Sequence, residues 1–129
     1  MPVEGYFMSD QTQGMSNSIL VSIKKQLNIG QDYHAFDSDV ILLINSAFAT
    51  LHQLGVGPEE GFAISGDKEV WNDFMPFDSY MQFNNVKRFV YMEVKMTFDP
   101  PTASILTAFK EQLDELKWRI TVAVDDVSM

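Results

Sequence analysis

A wide apolar stripe at helical spacing, between Asp37 and Gly55, is the sequence feature that most constrains the fold. The stripe consists of Val40, Ile44, Ala47, Leu51 and Leu54, and it is widened by Ile41, Leu43 and Phe48. A stripe this broad predicts a helix that is buried against more than one other element. Asp37 is a candidate N-cap, and Gly55 can take the left-handed conformation that ends a helix. The segment therefore predicts the central helix of a bundle.

Three further segments repeat apolar residues at helical spacing. The first is predicted over residues 17–27, with Ser16 or Asn17 as its N-cap. The second is predicted over residues 84–98. The third begins after Asp99-Pro100-Pro101, since proline favours the first turn of a helix, and it runs to about Lys117. Its inward-facing residues are predicted to be Ile105, Leu106, Phe109, Leu113 and Leu116.

These elements predict an all-α fold, which is a compact bundle of about four helices. Residues 55–85 between the second and third helices are rich in glycine and proline, and they predict a long irregular connection with a short helical turn near residues 69–74. A chain of 129 residues fits one domain. We divide it into an N-terminal extension (residues 1–15), a helical domain (residues 16–118) and an extended C-terminal tail (residues 119–129).

The two ends of the chain are expected to lie outside the bundle. Residues 1–14 lack the basic start and apolar run of a secretory signal, and Met15 is a second candidate for the start of the chain. Residues 120–124 are rich in β-branched side chains, which predicts a strand. A lone strand cannot satisfy its own backbone hydrogen bonds, so this segment is expected to pair with a partner.

The charge balance restricts the classes of partner. Eighteen acidic residues against nine Lys and Arg give a net charge of −9. Such a surface repels nucleic acid phosphates and anionic membranes, which argues against a protein that grips DNA but not against one that surrounds it. The absence of cysteine excludes disulfides and Cys-based zinc sites. No stretch approaches the ~20 apolar residues of a membrane-spanning helix.

Residue patterns that carry catalysis are not found. His52 has no acidic residue three or four positions away on its helix, and His34 lies in a predicted loop. The sequence from Gly55 to Pro58 lacks the Lys and Ser/Thr of a phosphate-binding loop and is followed by two glutamates. The pair Asp125-Asp126 lacks a third metal ligand. We therefore predict no catalytic, cofactor-binding or metal site, and no enzyme activity.

The charged and aromatic residues after the second helix suggest interaction surfaces instead. Residues 55–85 contain six acidic residues and one basic residue, Lys68, whereas residues 86–98 contain three basic residues and one acidic residue, Glu93. Trp71, Phe74 and Phe77 interrupt the polar connection. They are either core anchors of this connection or contacts to a neighbouring chain, because aromatic residues are enriched at interfaces.

Two motifs, in this order, carry a resemblance to a known family. The first is I-N-x-A/V-F…L-x-Q-L-G-V-G-P between Ile44 and Pro58, and the second is V-K-x-x-V-Y…F-D-P-P between Val86 and Pro101. SILVSIKKQLNI precedes them and an amphipathic helix ending near Trp118 follows. Over residues 16–125 the chain resembles the small head-to-tail connector (adaptor) proteins of tailed bacteriophages, in particular siphophages.

The resemblance implies a structural virion protein at the head–tail junction, made in the host bacterial cytoplasm. It implies a homo-oligomeric ring of about twelve copies below the portal protein. The ring would extend the DNA channel and be a docking platform for a tail-side stopper or tail terminator protein. DNA would pass without specific binding during ejection, and neither a cofactor nor a membrane is implied.

Within such a ring, two sets of residues are candidates for contacts. The candidate subunit or lumen contacts are Glu59, Glu60, Asp67, Trp71, Phe74, Lys87 and Arg88. The candidate portal-docking tail is Ile120, Thr121, Val122, Ala123 and Val124, which is predicted to add a strand to the portal. This tail has the alternatives of folding back on its own domain or pairing with a neighbouring subunit. The alternative function is a small helical regulatory protein that binds a single protein partner.

Overall fold

The helices of the chain follow the apolar stripes of the sequence. The structure, a computed structural model, describes residues 17–75 and 80–128. Its helices are α1 (Ile19–Gln26), α2 (Asp37–Gln53), α3 (Trp71–Phe74), α4 (Tyr80–Phe98) and α5 (Ala103–Ser128). The predicted all-α bundle is confirmed for these residues. The N-terminal extension (residues 1–15) and Phe77 lie outside the described residues.

Helix α2 lies against both α1 and α4, and α4 also packs against α5. The residues that α2 buries are Val40, Ile44, Ala47, Phe48 and Leu51. They meet the fully buried Phe89, Val90 and Val94 within one apolar core. Helix α2 is therefore buried against two other helices, as its wide stripe predicts, and α4 is as central because it packs between α2 and α5.

The N-caps differ by a residue or two from those that the sequence predicts. Helix α1 is capped by Ser18, whose Oγ accepts a hydrogen bond from the Val21 N–H at 3.3 Å, rather than by Ser16 or Asn17. Helix α2 begins after Phe36, so Asp37 is its first helical residue and not its N-cap. The Asp37 carboxylate is instead held by Lys24 and His34.

The connection between α2 and α4 is tied to the bundle at several points. The Asn45 side chain donates to the Ile64 carbonyl at 2.9 Å and accepts from the Ile64 N–H at 2.8 Å. Ser18 and Val70 form an isolated antiparallel bridge. Gly57 has φ +92°, and a Cβ at this position would lie 2.4 Å from the Phe74 ring. The chain therefore turns closely over Phe74, and only glycine fits there without strain.

The C-terminal segment corrects the sequence interpretation. Helix α5 continues to Ser128, so the extended tail predicted over residues 119–129 is wrong as far as Ser128, and the strand predicted over residues 120–124 is wrong. Ile120 and Val124 continue the helical spacing of Leu113 and Leu116 and pack on the same core. That burial outweighs the β-propensity of the segment, because β-propensity is a weak and context-dependent preference. The helix also satisfies the backbone groups that a lone strand would leave unpaired.

A second correction concerns the start of α5. Ile105, which was predicted to face inward, is 56% exposed. The core contacts of α5 begin further along the helix, with Phe109 and Leu113.

Candidate interaction surfaces

The acidic residues Glu59, Glu60 and Asp67 lie on the surface. Glu59 and Glu60 occupy a turn closed by the Gly61 N–H donating to the Pro58 carbonyl at 2.9 Å. A ring nitrogen of His52 lies 2.9 Å from the Glu59 carbonyl oxygen, which ties the turn to the end of α2. The carboxylates themselves point to solvent, so their charge is available to a partner or to a channel.

Glu69, also in the connection, uses its charge within the chain. Burial opposes ionisation of this carboxyl, but hydrogen bonds from the Ser65 N–H and hydroxyl, together with neighbouring backbone N–H groups, hold its pKa below the usual value. Glu69 therefore stabilises the connection and is not part of its exposed acidic surface.

Trp71 and Phe74 lie inside the chain, which resolves the two interpretations of the aromatic cluster. Both side chains are buried. The centre of the Phe74 ring lies 4.6 Å from that of the Phe48 ring, and Trp71 Nε1 donates to Ser22 Oγ at 2.9 Å. They anchor the connection to α1 and α2, and they have almost no surface to offer a neighbouring subunit. The prediction that they are subunit or lumen contacts is therefore corrected.

Lys87 and Arg88 are neighbours on α4 with different environments. Lys87 Nζ lies 4.8 Å from the centre of the Phe83 ring and 5.7 Å from that of Trp71. Partial burial lowers the pKa of Lys87. Arg88 is exposed and donates to Gln112 Oε1 on α5 at 3.2 Å. Arg88 is thus the more accessible of the two charges.

An ion pair between the buried Lys24 and the partly buried Asp37 holds the connection between α1 and α2. Lys24, 2% exposed, places Nζ 2.7 Å from Asp37 Oδ1, and the same Nζ donates to the Tyr33 and Gln31 carbonyls at 2.7 and 3.3 Å. Asp37 Oδ1 makes a close ionic contact without the alignment of a hydrogen bond. Burial raises the pKa of Asp37, but the interactions with Lys24 and His34 outweigh it, so the pKa is lowered. These interactions hold the segment between α1 and α2 in place, so the role of the cluster is structural.

An apolar groove of about 320 Å³ opens between the turn after α2 and the end of α5. Its walls include Val56, Val86, Ile120, Ala123 and Val124, and Arg119 lies among its lining residues. Three of the five residues predicted to dock the portal thus line this groove, on a helix and not on a strand. Thr121 and Val122 lie outside its lining.

Trp118 is an exposed aromatic residue that sequence reasoning did not select. It is 65% exposed on α5, whereas Leu116 and Ile120 on either side of it are buried. The signal was present in the sequence, because position 118 falls off the stripe formed by residues 113, 116 and 120.

Neither a cluster of metal-ligating side chains nor a membrane-spanning helix is found in the described part of the chain. There, no three His, Asp or Glu side chains come close enough to hold a metal ion. None of the described helices is long and apolar enough to cross a membrane.

Comparison with known proteins identifies the family. The model of a family described as phage connector protein matches residues 19–127, a range that begins with α1 and ends one residue before the end of α5. No curated protein and no solved structure matches the chain. The match covers more than half of the sequence and agrees with the helical architecture. The chain therefore belongs to the phage connector protein family.

Proposed function

We propose that this chain is a head-to-tail connector subunit that forms a ring of about twelve copies below the portal of a tailed bacteriophage. The family match over residues 19–127 carries the proposal, since it assigns the chain a structural role at the head–tail junction of the virion. In this role the ring extends the DNA channel and is a docking platform for a tail-side stopper or tail terminator protein. The work is geometric, and no substrate is converted.

The surface charge supports a passage for DNA. The chain has a net charge of −9, and Glu59, Glu60 and Asp67 expose their carboxylates. Acidic groups that face a channel repel the phosphate backbone, so DNA slides through without being bound. The same carboxylates are suited to pair with an exposed base such as Arg88 of a neighbouring subunit. We assign them to the lumen or to the subunit contact.

The portal contact cannot be the strand addition that the sequence predicted. Strand addition to the portal requires an extended segment, but residues 120–124 are helical. Ile120 is buried against the core of its own chain. A portal contact at this end of the chain would therefore be made by exposed side chains of α5 and not by its backbone.

Native mass spectrometry of the purified chain, alone and with the portal protein of the same phage, tests the proposal. We expect a species close to twelve times 14.7 kDa, and a ring with a central opening in electron micrographs. A monomer or dimer under both conditions would contradict the ring and favour the regulatory protein. Cells infected with phage that lacks the gene should accumulate DNA-filled heads without tails, and supplying the wild-type gene should restore the joining of heads to tails.

A further inference from the structure

We propose that Trp118 of one subunit inserts into the apolar groove between Val56 and Val124 of the next subunit, and that this contact closes the ring. The inference rests on the proposed ring and names the contact that holds it together. It assigns a partner, a second copy of this chain, to two surface features of the described residues.

The first feature is the exposed indole of Trp118. It is 65% exposed, on the face of α5 opposite the core residues Leu116 and Ile120. An indole contributes a large apolar area, and tryptophan is strongly enriched among the residues that dominate binding energy at interfaces. A single large aromatic side chain that faces solvent is thus suited to anchor a contact.

The second feature is the groove, whose size and lining match an indole ring. It encloses about 320 Å³ and is lined mainly by aliphatic side chains and glycine. For comparison, an apolar cavity of about 150 Å³ in another protein binds benzene. The groove is open to solvent on one side, so an aromatic ring can enter it without unfolding the bundle.

The two features cannot meet within one chain. Residues 118 and 120 point about 160° apart around a helix with 3.6 residues per turn, and Ile120 lines the groove. Trp118 therefore faces away from the groove of its own subunit. A contact between two different surfaces of identical chains is heterologous, and repeating it yields a closed ring when the rotation allows.

Charge on the two sides of the contact is complementary. Glu111 and Asp114 lie seven and four positions before Trp118, on the same exposed face of α5. On the other side, Arg88 is exposed in a cleft next to the groove, whereas Arg119, which lines the groove, pairs with Glu115 of its own chain at 2.6 Å. Glu111 and Asp114 of one subunit would thus approach Arg88 of the next, which orients the contact.

Two single substitutions test the contact, one on each side. Trp118→Ala removes the indole, and Ala123→Phe fills the groove from within. Each variant alone should need at least about tenfold more protein to assemble than the wild type, because each lacks one half of every contact. Ile105→Ala, which removes another exposed apolar side chain from α5, is the matched control and should assemble normally. Circular dichroism checks that each variant keeps the helical fold.

A mixture of the two variants gives the sharper test. The Ala123→Phe chain still has Trp118, and the Trp118→Ala chain still has an open groove. Together they should form a one-to-one complex of twice 14.7 kDa that cannot grow further. Failure of the folded variants to pair, or normal rings from either alone, would overturn the inference while the ring proposal stands. A wild-type chain that stays monomeric would overturn the proposed function itself.

Discussion

At the scale of single residues, a comparison of Leu51 and Leu42 distinguishes the contribution of core packing to stability from that of helix propensity. Both are leucines of α2, but Leu51 is fully buried and Leu42 is 69% exposed. We expect Leu51→Ala to lower the free energy of unfolding by about 2–5 kcal/mol, through lost burial and a residual cavity. Leu42→Ala should change it by less than about 0.5 kcal/mol. Denaturant unfolding of both variants measures the difference. A cost below about 1 kcal/mol for Leu51→Ala would contradict the assignment of the core.

The Lys24–Asp37 ion pair makes stability depend on pH in a defined direction. The pKa of Asp37 is lowered from its ordinary value of 3.8 in the folded chain. The stabilisation from this carboxylate is therefore fully present above the unfolded pKa and is lost as pH falls through the lower, folded value. We expect Asp37→Asn to destabilise the chain at pH 6 and the gap from wild type to shrink below about pH 4.

Urea unfolding of the wild type and Asp37→Asn between pH 3 and pH 6 measures this gap. Asp39→Asn, which removes a charge from the same first turn of α2, is the control for helix-dipole effects. A gap that stays constant over this pH range would show that Asp37 contributes through packing and not through its charge. Lys24 and Asp37 are 13 positions apart, and the sequence contains no signal that they pair. Charged side chains are rarely buried, so the burial of Lys24 was not predictable from the sequence.

At the scale of elements, the sequence predicts helices from their spacing and fails where composition and spacing disagree. The stripe of α2 predicts the observed helix closely, and Gly55 has the expected positive φ. At the end of α5, composition favours a strand, whereas Ile120 and Val124 continue the helical spacing from Leu116. Spacing decided the outcome, because it determines which side chains reach the core. The tie between Asn45 and Ile64 was not predictable, since it depends on tertiary placement.

The helical end of α5 gives a direct test of this correction. Thr121 lies within α5, and its Oγ1 donates to the Lys117 carbonyl at 2.8 Å, as is common in helices. Thr121→Pro should cost about 3 kcal/mol and reduce the helical circular dichroism signal, because proline removes a backbone hydrogen bond and clashes with the preceding turn. Thr121→Ala should keep the helix. An unchanged helical signal in Thr121→Pro would indicate that the segment is not helical in solution.

At the scale of the whole molecule, aromatic and charged residues divide between the interior and the surface. Trp71 and Phe74 hold the connection to the bundle, and Lys87 packs over aromatic rings. Trp118, Arg88 and the exposed acids remain available to partners. From sequence alone the two classes are hard to separate, because exposure of an aromatic residue depends on the packing of distant elements. Burial removes Trp71 and Phe74 from the candidate contacts, and the exposed candidates remain predictions.

The exposed acids of the connection are the last set to test, and their role belongs to the assembled ring. Reversing Glu59, Glu60 and Asp67 to Lys changes the charge by +6 without touching a buried side chain. If these residues line the lumen, the added lysines should retain DNA and slow its ejection in low salt, with less effect in high salt. If they lie at a subunit contact, the ring should weaken instead.

A matched triple reversal of Asp32, Asp39 and Asp99, which are acids outside this connection, controls for net charge. Asp99 pairs with Lys95 at 3.4 Å, and an ion pair this exposed contributes little to stability. Native mass measures the ring, and phage infectivity with DNA release measures passage. Since both triples change the charge equally, a defect confined to the first triple assigns it to the connection. Normal assembly and normal infectivity of the Glu59, Glu60 and Asp67 triple variant would show that these carboxylates are solvated surface groups without a role in the ring.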